Sequence, residues 1–352
     1  MVQVAKNTVD CWAISMPRAV GRSGCAGSAV SFLILQWLLR EATSIIPGQK
    51  TLSLFLHAST RRLLRWIQAK LAVRDSLDHI ASKECTVSVV RFDIVDSLGH
   101  ITLTSPPNNF VSARFNTDLA AAVHDASDSN IRALLVRAEG PNFSVGPAVD
   151  EWAGKSYSWF RTFIAEITNT YRAIEALEIP VVTAIRGQTV GGGLELALSA
   201  DFIVAADNTV MWCAEVTGGQ LPLAGGYQRL ASLIGPSAAR RMVMLGEPTP
   251  VITIPTVADY IVPDDQLDDT ALRLATRLSR GPTRSYAAAK SVLKAWSAGG
   301  ISAADKLMLD LTIGLFHTED SRKSLDALLG ALARGEQPAT GHVSPGITFT
   351  GR

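Results

Sequence analysis

Two glutamates near glycine-rich turns are the residues of this chain whose types and positions best suit proton transfer. Glu195 comes directly after the glycine triplet 191–193 and one leucine, and Glu215 stands at the exit of a later apolar run. The apolar run 181–185 predicts a buried strand, and the run after the glycines predicts a buried helix. Glycines at such a junction let a ligand approach the backbone, and the first N–H groups of a helix have no intrahelical partner. The pattern predicts a backbone anion site with a carboxylate beside it.

Both acids also have simpler interpretations. The glycines could serve only a tight turn, with Glu195 favouring the positive end of the helix. A capping box would need Ser or Thr three residues before that glutamate, and Gly192 supplies no side-chain acceptor. Glu215 could be a solvated acid in a Gly-rich loop. If folding brings the two carboxylates together, they could hold a water molecule between them.

The segments that must position these residues alternate between strands and helices. Apolar runs bounded by turn residues predict strands at 86–95, 100–103, 133–136, 181–185, 202–205 and 209–212. Helical spacing is found at 116–126, 157–177, 194–200, 238–245, 267–278, 285–298, 303–316 and 321–333, and a further helical run leads from Pro222 to Gly235. This order predicts an α/β fold with a helical layer at its C-terminal end.

The N-terminal segment has a different composition from the rest of the chain. Residues 1–70 hold nine of the 33 Lys and Arg residues but only two of the 32 acids, which leaves the remainder at −6. A basic leader poor in acids fits an organelle transit peptide. A dispensable extension without a part in the fold and a small partner-binding helix pair are the alternatives. The leader leaves the compartment open between cytoplasm and mitochondrion.

Bulk properties argue against several function classes. The net charge of +1 gives no reason to expect nucleic acid as a partner. No membrane span is expected, because the apolar stretch 31–39 is shorter than the roughly 20 residues that a membrane-spanning helix needs.

The glycine triplet lacks the third glycine of a dinucleotide fingerprint, since Leu196 occupies that position. No metal site is expected, and scattered cysteines indicate a reducing compartment and not secretion. Cys213 is predicted to be a packed core thiol, because no activating base is visible near it.

A longer series of motifs resembles the enoyl-CoA hydratase/isomerase (crotonase) superfamily. The series runs from Ile-Pro-Val-Val at 179–182 through the glycine triplet, Glu195 and Glu215 to Gly-Gly-Tyr-Gln-Arg-Leu at 225–230. Further matching segments are the loop 106–112, Phe-Ser-Val-Gly at 143–146, the segment 257–263 and Thr-Glu-Asp at 318–320. Composition sets residues 1–84 apart as an N-terminal extension. For the rest of the chain, the resemblance implies a crotonase-like α/β spiral of strand–strand–helix units at 85–265 and a helical C-terminal trimerisation region at 266–352. It also implies a homotrimer or a hexamer.

This resemblance implies that the substrate is an acyl-CoA thioester, with coenzyme A as part of the substrate and no separate cofactor. By position, Gly192 supplies one of two backbone N–H groups that stabilise an enolate-like thioester oxygen. Glu195 orients and deprotonates the water that adds at carbon 3, and Glu215 delivers a proton to carbon 2. Both acids together favour reversible hydration of a 2-enoyl-CoA; isomerisation, acyl-CoA hydrolysis and binding with weak catalysis are the alternatives. The positions expected to contact CoA or substrate are Val111, Val145, Gly146 and Gly191.

The second oxyanion donor departs from the superfamily pattern. It should follow the glycine of the Phe-Ser-Val-Gly segment, but that position is Pro147, which has no N–H. Losing one such donor typically costs about 10²–10³ in rate. Either Ala148 substitutes through a local shift of the backbone, or the oxyanion hole is half empty.

Overall fold

The computed structural model describes residues 88–335 and 347–352, and the predicted extension 1–84 lies outside these residues. The strands in chain order are β1 (Val90–Val95), β2 (Leu98–Leu103), β3 (Ala133–Ala138), β4 (Val181–Ile185), β5 (Gln188–Val190), β6 (Phe202–Ala206), β7 (Val210–Trp212), β8 (Thr249–Pro250) and β9 (Tyr260–Val262). The helices are α1 (Ala113–Asp128), α2 (Tyr157–Ala176), α3 (Gly192–Ala197), α4 (Gly226–Leu245), α5 (Leu267–Ser279), α6 (Thr283–Phe316) and α7 (Glu319–Ala333).

Two sheets organise the described residues. The larger sheet has the strand order β1-β2-β3-β4-β6-β9, and all its neighbours are parallel except β1 and β2. The smaller sheet has the order β5-β7-β8. Consecutive strands β4 and β5 therefore belong to different sheets, as do β6 and β7. Repeated in this way, the strand–strand–helix units form the predicted α/β spiral.

Apolar residues fill both faces of the larger sheet. Every residue of β2 and β4 is buried, which is usual for parallel strands covered on both sides. One apolar cluster includes Phe115 of α1 and Tyr171 of α2, and the other lies beneath α5. The helix α5 packs on β3, β4 and β6, although its residues fall within the predicted C-terminal region 266–352. This helix therefore completes the sheet core.

Several element boundaries differ from the sequence prediction. The predicted helices 285–298 and 303–316 form the single helical run α6, which is interrupted by non-helical backbone at Gly299 and Gly300. The predicted helix 194–200 is the shorter α3. The strands β5, β8 and β9, of two or three residues each, were not predicted. The fold class is unaffected by these differences.

The C-terminal helices expose a series of apolar side chains. Leu309 and Phe316 of α6 and Leu329 of α7 are each more than half exposed. The homotrimer or hexamer remains a prediction. Within the described part of the chain, no helix has the length and apolar character required to cross a bilayer.

Candidate active site

The glycine triplet is required by close contacts on two of its residues. Gly191 connects β5 to α3 with φ of +50°, and a Cβ there would lie 2.9 Å from Oε1 of Glu215. A Cβ on Gly193 would lie 2.4 Å from Cβ of Ser144. Larger residues at either position would displace a neighbouring side chain, and at Gly191 they would also be strained.

Among the described residues, Gly192 has an N–H without a hydrogen-bond partner, whereas the N–H of Gly191 donates to the Trp212 carbonyl at 2.9 Å. Gly192 is the first residue of α3, so its N–H has no intrahelical partner. Its carbonyl oxygen accepts a hydrogen bond of 2.8 Å from the phenol of Tyr171, which holds the peptide that follows the N–H.

The segment around Pro147 is fixed by pairing with Val111. The N–H of Val111 donates to Gly146 at 2.9 Å, and the N–H of Ala148 donates to the Val111 carbonyl at 3.1 Å. This parallel bridge uses the Ala148 N–H, so the structure contradicts its predicted role as a substitute donor. Cδ of Pro147 lies 3.5 Å from the position of a Cβ on Gly191. The proline ring therefore occupies the side of the backbone on which an N–H would face the glycines.

Glu195 is held by the backbone before α4. Its side chain is almost fully buried, and Oε1 accepts hydrogen bonds from the N–H groups of Ala224 at 2.7 Å and Gly226 at 2.8 Å. Nη1 of Arg229 in turn donates to the Ala224 carbonyl at 2.6 Å. Burial, with a smaller contribution from the nearby carboxylate of Glu215, raises the pKa of Glu195 to about 7 against the opposing effect of the two N–H donors.

Glu215 lies in a 3₁₀ turn, Ala214–Gly218, directly after β7. Its Oε2 is buried and has no hydrogen-bond partner among the described residues. Burial raises the pKa of this carboxyl above its ordinary value. An unpaired carboxyl oxygen in such a place is free to exchange a proton with a bound molecule.

Both glutamates line one cavity of about 380 Å³. Of the predicted contact positions, Val111, Val145 and Gly191 also line it, together with Gly192 and Pro147. Gly146 is buried and is not a lining residue. The lining residues that sequence reasoning missed are Val149, Trp152, Phe163, Ile167, Val190, Trp212, Ala214, Thr217, Gly218, Gln220 and Leu223. The spacing of Phe163 and Ile167 on one face of a predicted helix was the only available signal for any of them.

Other reactive groups do not join this cavity. Cys213 is a buried free thiol, as predicted, and burial raises its pKa to about 12. Within residues 88–335 and 347–352, no group of three or more His, Cys, Asp or Glu side chains is arranged to hold a metal ion. The site therefore offers two carboxyls, one open backbone N–H and an apolar wall.

The fold agrees with comparisons to known proteins. The sequence profile of the enoyl-CoA hydratase/isomerase family matches residues 93–332. The chain belongs to this family. The resemblance seen in the motifs is thereby confirmed, and with it the crotonase fold class.

Similar proteins in this family are named for different reactions. A 2,3-dehydroadipyl-CoA hydratase from Escherichia coli (strain K12) is 29% identical over 224 residues, which are 63% of this chain and 86% of the relative. A (7aS)-7a-methyl-1,5-dioxo-2,3,5,6,7,7a-hexahydro-1H-indene-carboxyl-CoA hydrolase from Mycobacterium tuberculosis is 31% identical over 199 residues, covering 55% and 78% of the two chains. The structure of an enoyl-CoA hydratase from Bacillus anthracis matches 75% of this chain and 100% of its own, with a TM-score of 0.66 and 23% identity. The enzyme names support an enzyme of this superfamily.

Proposed function

We propose that this protein catalyses the reversible hydration of a 2-enoyl-CoA. One observation carries the proposal: Glu195 and Glu215 line the same largely apolar cavity as Gly192. A pair of carboxyls can supply an acid and a base to the two carbons of a double bond. A single carboxyl would have to perform both transfers in succession.

In the proposed reaction, the thioester oxygen accepts a hydrogen bond from the Gly192 N–H. Glu195 removes a proton from water as its oxygen bonds to carbon 3, and the electron pair of the double bond moves toward the thioester to form an enolate. Glu215 then gives its proton to carbon 2, and the enolate returns to the thioester. The pair gains one proton and loses one, so the addition is balanced, and dehydration follows the same steps in reverse.

The electrostatics of the pair support acid–base work near neutral pH. Burial raises the pKa of both carboxyls, and that of Glu195 reaches about 7. Two interacting carboxyls titrate as a unit, so the pair retains a shared proton at a pH where isolated carboxyls would both be ionised. One member then serves as the acid and the other as the base.

The direct test is hydration of crotonyl-CoA, followed by loss of the enoyl absorbance. Hexenoyl- and decenoyl-CoA extend the test to longer chains, and the 3-hydroxyacyl-CoA product is identified by mass. Binding of saturated acyl-CoA is measured in parallel by calorimetry. Tight binding without turnover of any enoyl-CoA would refute hydration and leave a binding protein.

Hydrolysis of an acyl-CoA is a second candidate. The relative named a CoA hydrolase supports it, and Pro147 departs from the pattern of the hydratases. The same carboxyls would then direct water at a carbonyl carbon. Release of free CoA thiol, measured with a thiol reagent, would distinguish hydrolysis from hydration.

We also propose that the exposed apolar residues of α6 and α7 pack between subunits of a homotrimer or hexamer. Sedimentation equilibrium gives the subunit number directly. A monomer at micromolar concentration would refute this assembly without affecting the proposed reaction.

A further inference from the structure

The charge and polarity of the side chains that line the cavity bear on which acyl groups it can bind. Apart from Glu195 and Glu215, none of its described lining residues is charged. The uncharged side chains with polar atoms are Thr217, Gln220, Trp152 and Trp212. The hydroxyl of Thr217 already donates to the Ala214 carbonyl at 2.6 Å, and the indole N–H of Trp212 donates to the Gly246 carbonyl at 2.7 Å. The described wall therefore offers no cation to a ligand, and its only charges are those of carboxylates.

Aromatic packing holds one side of this wall in place. Trp152 and Phe163 line the cavity. The rings of Phe163 and Trp159 are stacked, with their centres 5.0 Å apart. The rings of Trp152 and Phe160 pack in a T-shaped arrangement, with their centres 5.8 Å apart. Trp159 and Phe160 also contact each other at 5.2 Å, so the four rings form a connected layer. A wall fixed by its own packing does not readily rearrange around a ligand of different shape.

One cation contacts this aromatic layer at a ring that does not line the cavity. Nζ of Lys155 lies 5.1 Å from the centre of the Trp159 ring, and Trp159 is not a lining residue. Lys155 itself is exposed. A carboxylate entering the cavity would therefore lose its hydration without gaining this ammonium as a partner.

We infer that the cavity accepts an uncharged, apolar acyl group and rejects an acyl group that ends in a carboxylate, with Trp152 as a specificity-determining residue. A terminal carboxylate would be buried against apolar side chains and repelled by Glu195 and Glu215, whereas a methyl-ended chain gains from the same surroundings. This inference rests on the proposed acyl-CoA function. It separates this chain from the Escherichia coli relative, whose name specifies 2,3-dehydroadipyl-CoA.

The test compares two ligands of equal carbon number, hexanoyl-CoA and adipyl-CoA, by calorimetry on the full chain. Because burial of an unpaired carboxylate is costly, we expect hexanoyl-CoA to bind about 100-fold more tightly. The rates for trans-2-hexenoyl-CoA and 2,3-dehydroadipyl-CoA should show the same preference. Equal affinities for the saturated pair would overturn the inference, whatever the variants below show.

Trp152→Arg places a cation at the wall of the cavity. It should reduce the ratio of hexanoyl-CoA affinity to adipyl-CoA affinity at least tenfold, chiefly because adipyl-CoA binds more tightly. The matched control is Tyr157→Arg, which makes the same charge change at a side chain that is 81% exposed and does not line the cavity. This control should leave the ratio unchanged. A folded Trp152→Arg protein with the wild-type ratio, or an equal effect of Tyr157→Arg, would overturn the role given to Trp152.

The binding measurement separates this inference from the proposed reaction. If neither unsaturated ester is hydrated but hexanoyl-CoA still binds far more tightly than adipyl-CoA, the hydratase proposal fails and the selectivity stands. If both unsaturated esters are hydrated at similar rates and the two saturated esters bind equally, the hydratase proposal stands and the selectivity fails.

Discussion

Tyr171 donates a hydrogen bond of 2.8 Å from its phenol to the carbonyl oxygen of Gly192. The ring is fully buried, and burial raises the pKa of the phenol well above its ordinary value of 10. Tyr171 is therefore a permanent donor within the core. It connects helix α2 to the first residue of α3, where the proposed oxyanion donor lies.

Tyr171→Phe should weaken this positioning while keeping the ring in place. We expect the free energy of unfolding to fall by about 1 kcal/mol, the usual net value of one hydrogen bond. Because the Gly192 peptide becomes less constrained, kcat should fall roughly three- to tenfold with little change in KM. Urea unfolding and steady-state hydration measure the two effects. Tyr260→Phe, at a ring that is 45% exposed, is the matched control; a stability loss with unaltered kcat would limit Tyr171 to a structural role.

Pro147→Ala restores an N–H at the position where the family has its second oxyanion donor. The bridge between Val111 and its partners Gly146 and Ala148 does not use the nitrogen of residue 147, so it should persist. Since one donor is worth about 10²–10³ in rate, we expect kcat for hydration to rise at least tenfold. Pro263→Ala controls for the general effect of removing a proline. An unchanged rate in a folded variant would show that the absent donor does not limit this enzyme.

Glu215→Gln should separate chemistry from binding. The amide preserves the size of the side chain and removes the titratable proton, and Oε2 has no hydrogen bond among the described residues for the change to break. We expect kcat to fall by about 10²–10⁴, the usual contribution of a positioned acid or base, while hexanoyl-CoA affinity changes less than about threefold. Glu178→Gln, at an exposed carboxyl, should change neither quantity. Full activity of Glu215→Gln would remove that residue from the mechanism.

The sequence pattern predicted the parts of this site that are determined by residues adjacent in the sequence. The strand β4, the glycine turn and the carboxylate beside it follow from apolar runs and glycine positions within 181–195. The use of the Ala148 N–H could not be predicted, because it depends on pairing with Val111 in a distant segment. Trp152 and Phe163 were missed for a related reason: an apolar residue on a helix or turn reads as core until the fold shows that one side of it is empty.

The stability of the protein should depend on pH through Glu195. Its pKa is about 7 in the folded state and 4.5 ordinarily, so the folded state holds the proton over a range in which the unfolded chain has released it. The stabilisation that protonated Glu195 adds to the free energy of unfolding is fully present below pH 4.5 and is lost as pH rises through about 7. A shift of this size corresponds to about 3 kcal/mol, most of which should be lost between pH 5 and pH 8.

Glu195→Gln isolates this contribution, because the amide does not titrate and its oxygen can still accept the N–H groups of Ala224 and Gly226. The unfolding free energy of the variant minus that of the wild type should rise by about 2–3 kcal/mol from pH 5 to pH 8. Urea unfolding at fixed protein concentration measures this difference, and Glu178→Gln supplies the baseline for an exposed carboxyl. A difference that stays constant with pH would mean that Glu195 is ionised throughout this range. Glu195 would then be available as the base over the whole range, and Glu215 alone would have to hold the proton that is transferred to carbon 2.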